Sequence, residues 1–251
     1  MNSKGLAVVV LAAGKGRRMK SSLAKVLQPL KNKPLLNYIL ESLVPLNPDY
    51  SVVVVGFQSE SVKETFSDRG LIFVEQKEQL GTGHAAQQAK LTLRDFSGDV
   101  LVVCGDMPLI KSQTLIDFVD RHQDKKEAYC TVLTLKTSEK KDFGRIIRNG
   151  MGTVVKIVEH NDASEDEKKV DEFNLGVYCF DKILFYNALG FICDNNIQKE
   201  YYLTDTIEYI VKTGFTVETF QTTDTVQFLG VNSREDLQLA ERILTKQTGS
   251  A

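Results

Sequence analysis

Three short stretches and a nearby lysine carry residue types that could do chemistry. Leu11-Ala-Ala-Gly-Lys-Gly-Arg-Arg-Met19 follows directly on the apolar run Leu6 to Val10. Gly14 and Gly16 let the backbone turn where a Cβ would clash, so the N–H groups from Leu11, Ala12 and Ala13 onward can converge on an anion. Arg17, Arg18 and Lys25 add positive charge, and the chemistry this permits is the holding of a nucleoside triphosphate. The loop is not a Walker motif, because arginines stand where a hydroxyl would bind magnesium. Nor is it G-x-G-x-x-G, since position 19 is Met. Taken alone it reads equally as a basic surface turn.

The second stretch is Glu75-Gln-x-x-Gln-Leu-Gly-Thr-Gly-His-Ala85. Gln76 offers both a donor and an acceptor to a pyrimidine edge, and Gly81-Thr82-Gly83 lets backbone lie against a flat base. Alone it is also a polar loop with Thr82 as a helix cap. In Val103-Cys-Gly-Asp-Met-Pro-Leu109 an apolar run ends abruptly in Asp106. A carboxylate at the carboxyl end of a buried parallel strand is placed to hold a hard cation against phosphates, the alternative being a cap on the helix after Pro108.

These residues need a scaffold that brings strand ends together. Apolar runs alternate with helical patterns at 6–11, 35–43, 51–55, 59–66, 71–74, 84–91, 100–103 and 114–121. That order argues for an α/β fold, a Rossmann-like mostly parallel sheet with helices on both faces and ligands at the strand carboxyl ends. The second half is less regular, with strand patterns at 128–135, 145–148, 153–158 and 173–180 and helices near 182–189 and 204–211, as in a smaller mixed subdomain. The charge-dense stretch from Asn161 to Asp171 reads as an exposed connector.

With 251 residues, 42% hydrophobic and 25% charged, the chain can bury a substantial core. The balance of 31 basic and 33 acidic residues gives no reason to expect nucleic acid as a partner, and no apolar run nears the ~20 residues of a membrane span. Met1-Asn-Ser-Lys-Gly is no signal peptide, so the expected location is cytoplasmic. Cys104, Cys130, Cys179 and Cys193 lack paired spacing and read as reduced thiols, most of them buried. His84, His122 and His160 lack metal-ligand spacing, and His122 is expected on a solvated helix face.

Leu11 to Met19, Lys25-Val-Leu and Lys33-Pro-Leu together resemble the N-terminal signature of the sugar-phosphate nucleotidylyltransferases. Later motifs follow in the family's order to about Leu237. They are similar, more narrowly, to the uridylyltransferase half of the bacterial bifunctional enzymes that make UDP-N-acetylglucosamine. The resemblance implies uridylyl transfer from UTP to N-acetylglucosamine-1-phosphate for cell wall precursors. Arg18, Lys25 and Asp106 would be catalytic, Gln76, Gly81 and Thr82 would hold uracil, and Mg²⁺ would sit on Asp106 and on Asn232 of Gly230-Val-Asn. Asn232 also reads as a helix cap with Glu235 three positions on. Phe143-Gly-Arg-Ile146, Ile157-Val-Glu-His160, Glu172-Phe-Asn-Leu-Gly176 and Asn196 to Asp205 match the sugar-binding motifs, which assigns Gly144, Glu159, Asn174, Tyr201 and Thr204 to the sugar.

Three residues depart from the pattern: Phe143 for tyrosine, Leu175 for threonine and Ala24 for the proline before Lys25. The first two remove hydroxyls beside the sugar pocket, and the third is expected to loosen the loop. Residues 1–232 would form the transferase domain, its nucleotide half about 1–110 and its sugar half about 111–232. Residues 233–251 would add an amphipathic helix, offering a surface for self-association, and a polar tail. The acetyltransferase region of the bifunctional enzymes has no counterpart here, so acetyl transfer is expected to be absent. The alternatives are nucleotidyl transfer to a different sugar-1-phosphate, and a silent nucleotide-sugar sensor.

Overall fold

In strand β1 (Gly5–Leu11), Leu6, Val8 and Val10 enter one apolar cluster while Ala7 and Val9 enter another on the opposite face. A strand buried on both sides needs helices on both sides, and the rest of the chain supplies them. In this computed structural model residues 4–125, 128–139 and 141–248 are described. The tail residues 249–251 lie outside them.

After β1 come a two-residue hairpin, β2 (Pro29–Leu30) and β3 (Lys33–Pro34), then α1 (Leu35–Leu43), β4 (Tyr50–Val55), α2 (Ser59–Thr65), β5 (Ile72–Glu75), α3 (Thr82–Gln87), β6 (Gly98–Cys104) and α4 (Ser112–Asp124). The second half runs β7 (Cys130–Lys136), β8 (Arg145–Arg148), β9 (Val154–Val158), β10 (Glu172–Asp181), α5 (Lys182–Ala188), α6 (Asp205–Lys212), β11 (Val217–Thr222) and α7 (Arg234–Thr248). Helices α1, α2 and α4 cover one face of the sheet, and α3, α5 and α6 the other.

The main sheet has the order β11-β7-β10-β6-β1-β4-β5, with β8 and β9 joined beside β10. β1 pairs in parallel with both β4 and β6, and β4 with β5, whereas β10 runs antiparallel between β6 and β7. The fold is thus the mostly parallel α/β sheet expected from the sequence. The chain leaves β1 toward β4 and β5 and returns on its other side as β6. The carboxyl end of β1 is therefore the switch point at which such sheets open a crevice.

Two details differ from the sequence pattern. β11 lies where the pattern marks no element, pairing in parallel with β7 through Val217↔Cys130 to Thr222↔Leu135. His122 is not solvated. It is 1% exposed, its Nδ1 lies 2.8 Å from Thr131 Oγ1, and its Nε2 lies 3.6 Å from the buried Asp99. Leu115, Phe118, Val119 and His122 fall at i, i+3, i+4 and i+7 of α4, which is the stripe that packs on the sheet.

α7 folds back on its own chain. Ala240, Leu237, Ile243 and Leu244 join Met19, Leu30, Leu35, Leu109 and Val231 in a third cluster, beneath the glycine loop. Arg234 donates to the carbonyls of Met19 and Lys20 and ties α7 to that loop. Among the described residues, no helix is long and apolar enough to cross a membrane.

Candidate active site

The register Leu11↔Cys104 makes β1 and β6 end together, and Gly105 N–H donates to the Leu11 carbonyl at 2.9 Å. The glycine loop and Asp106 therefore leave the sheet side by side. Two strands out from β1, Gln76 N–H donates to the Val55 carbonyl of β4 at 2.7 Å, which sets Gln76 at the carboxyl end of β5. These segments enclose a cleft of about 500 Å³ lined by Leu11, Ala12, Ala13, Gly14, Gly16, Lys25, Gln76, Gly81, Thr82 and Asp106. Ten residues singled out in the sequence thus share one cavity.

Lys25 opens a short 3-10 turn, Lys25–Leu27. Its stem passes over Gly16, where a Cβ would stand 2.7 Å from the Lys25 Cβ, and where φ of +64° favours glycine in any case. Its ammonium donates to Asp106 Oδ2 at 2.5 Å and to Asn232 Oδ1 at 3.2 Å. A carboxylate and an amide oxygen, 126 positions apart in sequence, thus converge on one positive charge. Two hard oxygen donors that leave the remaining positions to water and phosphate fit a magnesium ion. Among the described residues no group of three or more His, Cys, Asp or Glu side chains could hold a metal, so a site here rests on this mixed pair.

The cap of α7 is one residue later than the sequence reading has it. Ser233 Oγ accepts from Asp236 N–H at 3.1 Å, while Asp236 Oδ2 accepts from the N–H groups of Ser233 at 2.8 Å and Asn232 at 3.0 Å. Ser233 and Asp236 form the capping box, and the Asn232 side chain is left to face Lys25. Ala24 leaves the loop a backbone donor where the pattern has proline. Its N–H donates to Gln58 Oε1 at 2.6 Å, a bond that proline cannot make.

Arg17 and Lys15 line the cleft; Arg18 lies on the same turn, exposed and outside the lining. Gln79, Gln198, Glu200 and Cys104 also line it, none of them given a binding or catalytic role in the sequence reading. Burial, then the Asp106 charge, push the Cys104 thiol up to about 12, which keeps it protonated and inert. Gln76 Nε2 donates to the Gly81 carbonyl at 3.0 Å and lies 3.0 Å from His84 Nδ1. Thr82 caps nothing: its Oγ1 accepts from Leu203 N–H at 3.0 Å. Tyr201 N–H donates to Leu80 O, and Gly83 N–H to Tyr201 O, each at 2.8 Å. The loop 80–83 is thereby zipped to the segment 201–203.

On the far side, Thr204 donates to Glu159 Oε1 at 3.0 Å. Burial raises the Glu159 carboxyl above its ordinary value, opposed by that hydrogen bond. Asn174 N–H donates to the Gly144 carbonyl at 2.8 Å, and its side chain bonds Tyr178 OH at 2.7 Å and Gly176 N–H at 3.1 Å. Leu175 is buried on the opposite face of β10 from Asn174, and Phe143 packs against that same apolar cluster.

A glycine loop, a lysine and a strand-end carboxylate at the switch point of a parallel sheet define a nucleotide-handling transferase, and residues 8–144 match the MobA-like NTP transferase domain. The chain belongs to that family, and within it is a GlmU-like nucleotidyltransferase. It is 41% identical over 95% of its length to the bifunctional protein GlmU of Desulfotalea psychrophila, 43% over 93% to that of Bacillus licheniformis, and 40% over 98% to that of Geotalea daltonii. It matches their N-terminal part and spans 70% of the first protein's length but 51% and 54% of the other two. The fold is shared with a UDP-glucose pyrophosphorylase (TM-score 0.76, 18% identity, 97% of this chain and 99% of that one). It is shared too with the inositol-1-phosphate CTP transferase of T. maritima (TM-score 0.74, 20% identity, 97% of each).

Proposed function

We propose that this chain joins UTP to N-acetylglucosamine-1-phosphate and releases pyrophosphate, a cytoplasmic step toward cell wall precursors. The observation that carries the reading is the convergence of Lys25, Asp106 and Asn232 beside the glycine loop. A phosphate oxygen of the sugar-1-phosphate attacks the α-phosphorus in line. The new P–O bond forms as the bond to the β-phosphate oxygen breaks, and the electron pair leaves on pyrophosphate.

No side chain need become covalently attached, so the protein's task is positioning and charge neutralisation. The backbone from Leu11 to Gly16 cradles the triphosphate, with Arg17 inside the cleft and Arg18 reaching from the rim. Lys25 carries its ammonium to the developing charge. Asp106 and Asn232 would hold Mg²⁺, which supplies Lewis-acid neutralisation of phosphate oxygens when bound. Gln76, Gly81 and Thr82 hold the uracil edge, and Gly144, Glu159, Asn174, Tyr201 and Thr204 hold the sugar. Residues to about 110 serve the nucleotide, those to 232 serve the sugar, and α7 braces the loop.

Pyrophosphate release from a panel of nucleoside triphosphates and sugar-1-phosphates tests the substrate reading. UTP with N-acetylglucosamine-1-phosphate gives the highest kcat/KM. UTP wins over purines by a wide margin, because a mismatched base leaves buried donors and acceptors unpaired. A higher kcat/KM for glucose-1-phosphate would leave nucleotidyl transfer standing and overturn the hexosamine assignment.

A further inference from the structure

Arg145 is 3% exposed, and among the described residues no carboxylate pairs with its guanidinium. A permanent charge so buried must be compensated by what it touches. Its Nη1 donates to the Phe143 carbonyl and to His160 Nδ1, the latter at 2.9 Å, and its guanidinium carbon lies 5.0 Å from the centre of the Phe173 ring. Each of these three partners is the immediate chain neighbour of a residue assigned to the sugar: Phe143 of Gly144, His160 of Glu159, and Phe173 of Asn174. The backbone repeats the pattern, since Arg145 stands opposite Val158 on β9 and opposite Phe173 on β10.

An arginine cannot accept, so His160 must offer the lone pair of Nδ1 and carry its proton on Nε2, which lies 3.5 Å from Asp142 Oδ1. Nη1 alone makes both bonds while Nε is buried without a partner, and with the Phe173 ring against the guanidinium this one side chain touches three segments at once. A lysine, with a single flexible ammonium, would not reproduce that geometry. The glycine loop, Lys25 and Gln76 depart from β1 and β5, and among the described residues none of them hydrogen-bonds to it.

We propose that Arg145 is a positioning residue for the sugar-phosphate substrate: it holds the Phe143–Gly144 turn, the end of β9 and the start of β10 in one arrangement, and so sets affinity for the sugar phosphate and not for the nucleotide. The proposal rests on the sugar side of the function proposed above. Its test is steady-state kinetics of Arg145→Met, which keeps the stem and drops the donors, and of Arg145→Lys. Both are measured with whichever sugar-1-phosphate the unaltered chain uses best.

For Arg145→Met the expected result is a KM for the sugar phosphate raised by about 10- to 100-fold, with the KM for UTP changed by no more than about 2-fold. Arg145→Lys recovers part of the loss. An unchanged sugar-phosphate KM, or equal rises in both KM values, overturns the proposal. Should Arg145→Met not fold, His160→Leu removes only the acceptor. It must then raise the sugar-phosphate KM selectively, and failure to do so overturns the proposal equally. If the chain prefers a sugar other than the hexosamine, the hexosamine reading falls while Arg145 is still tested. If it uses no sugar phosphate, both fall.

Discussion

Lys25 and Asp106 meet at 2.5 Å although 81 positions separate them in the chain. The pairing places a positive charge where oxygen donors from two loops converge, and under the proposed function that charge faces phosphate without serving as a nucleophile. Lys25→Met should therefore lower kcat by about 100-fold or more. Mass spectrometry after incubation with UTP should find no nucleotidylated protein, in either the variant or the parent. A nucleotide trapped on Lys25 would contradict direct displacement.

Gly16 is the residue over which that lysine passes. Gly16→Ala puts a Cβ 2.7 Å from the Lys25 Cβ at a φ of +64°. The left-handed backbone alone costs about 1–2 kcal/mol. The melting temperature should fall, and kcat should fall further than in Gly14→Ala, where the nearest Lys25 atom is 4.0 Å away.

The bond from Ala24 N–H to Gln58 Oε1 predicts a coupling. Gln58→Ala should cost about 1 kcal/mol in the chain as it stands, and close to nothing further in an Ala24→Pro background. Equal costs in the two backgrounds, measured by urea unfolding, would show that the bond contributes nothing.

Burial, then the neighbouring Glu159 charge, push the Asp205 carboxyl up from 3.8 to about 6. The folded chain thus holds this proton more tightly than the unfolded one. Well below pH 3.8 both states are protonated and the group costs nothing. The cost grows between about pH 4 and 6 and is complete above 6. Partial exposure and the start of α6 offset some of it, so Asp205→Asn should stabilise the fold by about 1 kcal/mol at pH 8 and by almost nothing near pH 3. A gain of the same size at both pH values would contradict the assignment.

Local residue types made much of the fold and of the cleft legible. Gly14, Gly16 and Asp106 stand at the ends of continuous apolar strands, and a parallel sheet brings such ends together. What escaped the sequence was whatever depends on neighbours far along the chain. Val217-Glu-Thr-Phe-Gln-Thr222 has only Val217 fully buried, and it becomes strand β11 because β7 offers it an edge. Arg17 and Arg18 are adjacent and alike in type, and only the 3-10 turn decides that Arg17 lines the cleft. The internal bonds of Asn174 depend on Tyr178 and on the bulge at Gly176. His122 was legible after all, since its i+7 spacing from Leu115 puts it on the buried stripe of α4.

Under the proposed function, Lys25, Asp106 and Asn232 form the centre of a metal-assisted uridylyl transfer. Its most direct test is the initial rate of pyrophosphate release from UTP and N-acetylglucosamine-1-phosphate, for the unaltered chain and for Asp106→Ala, with Mg²⁺ and with a chelator in excess. Turnover is expected only for the unaltered chain with Mg²⁺, with a fall of about 100-fold or more for a folded Asp106→Ala. Full turnover by folded Asp106→Ala, or by the unaltered chain under chelator, would contradict it.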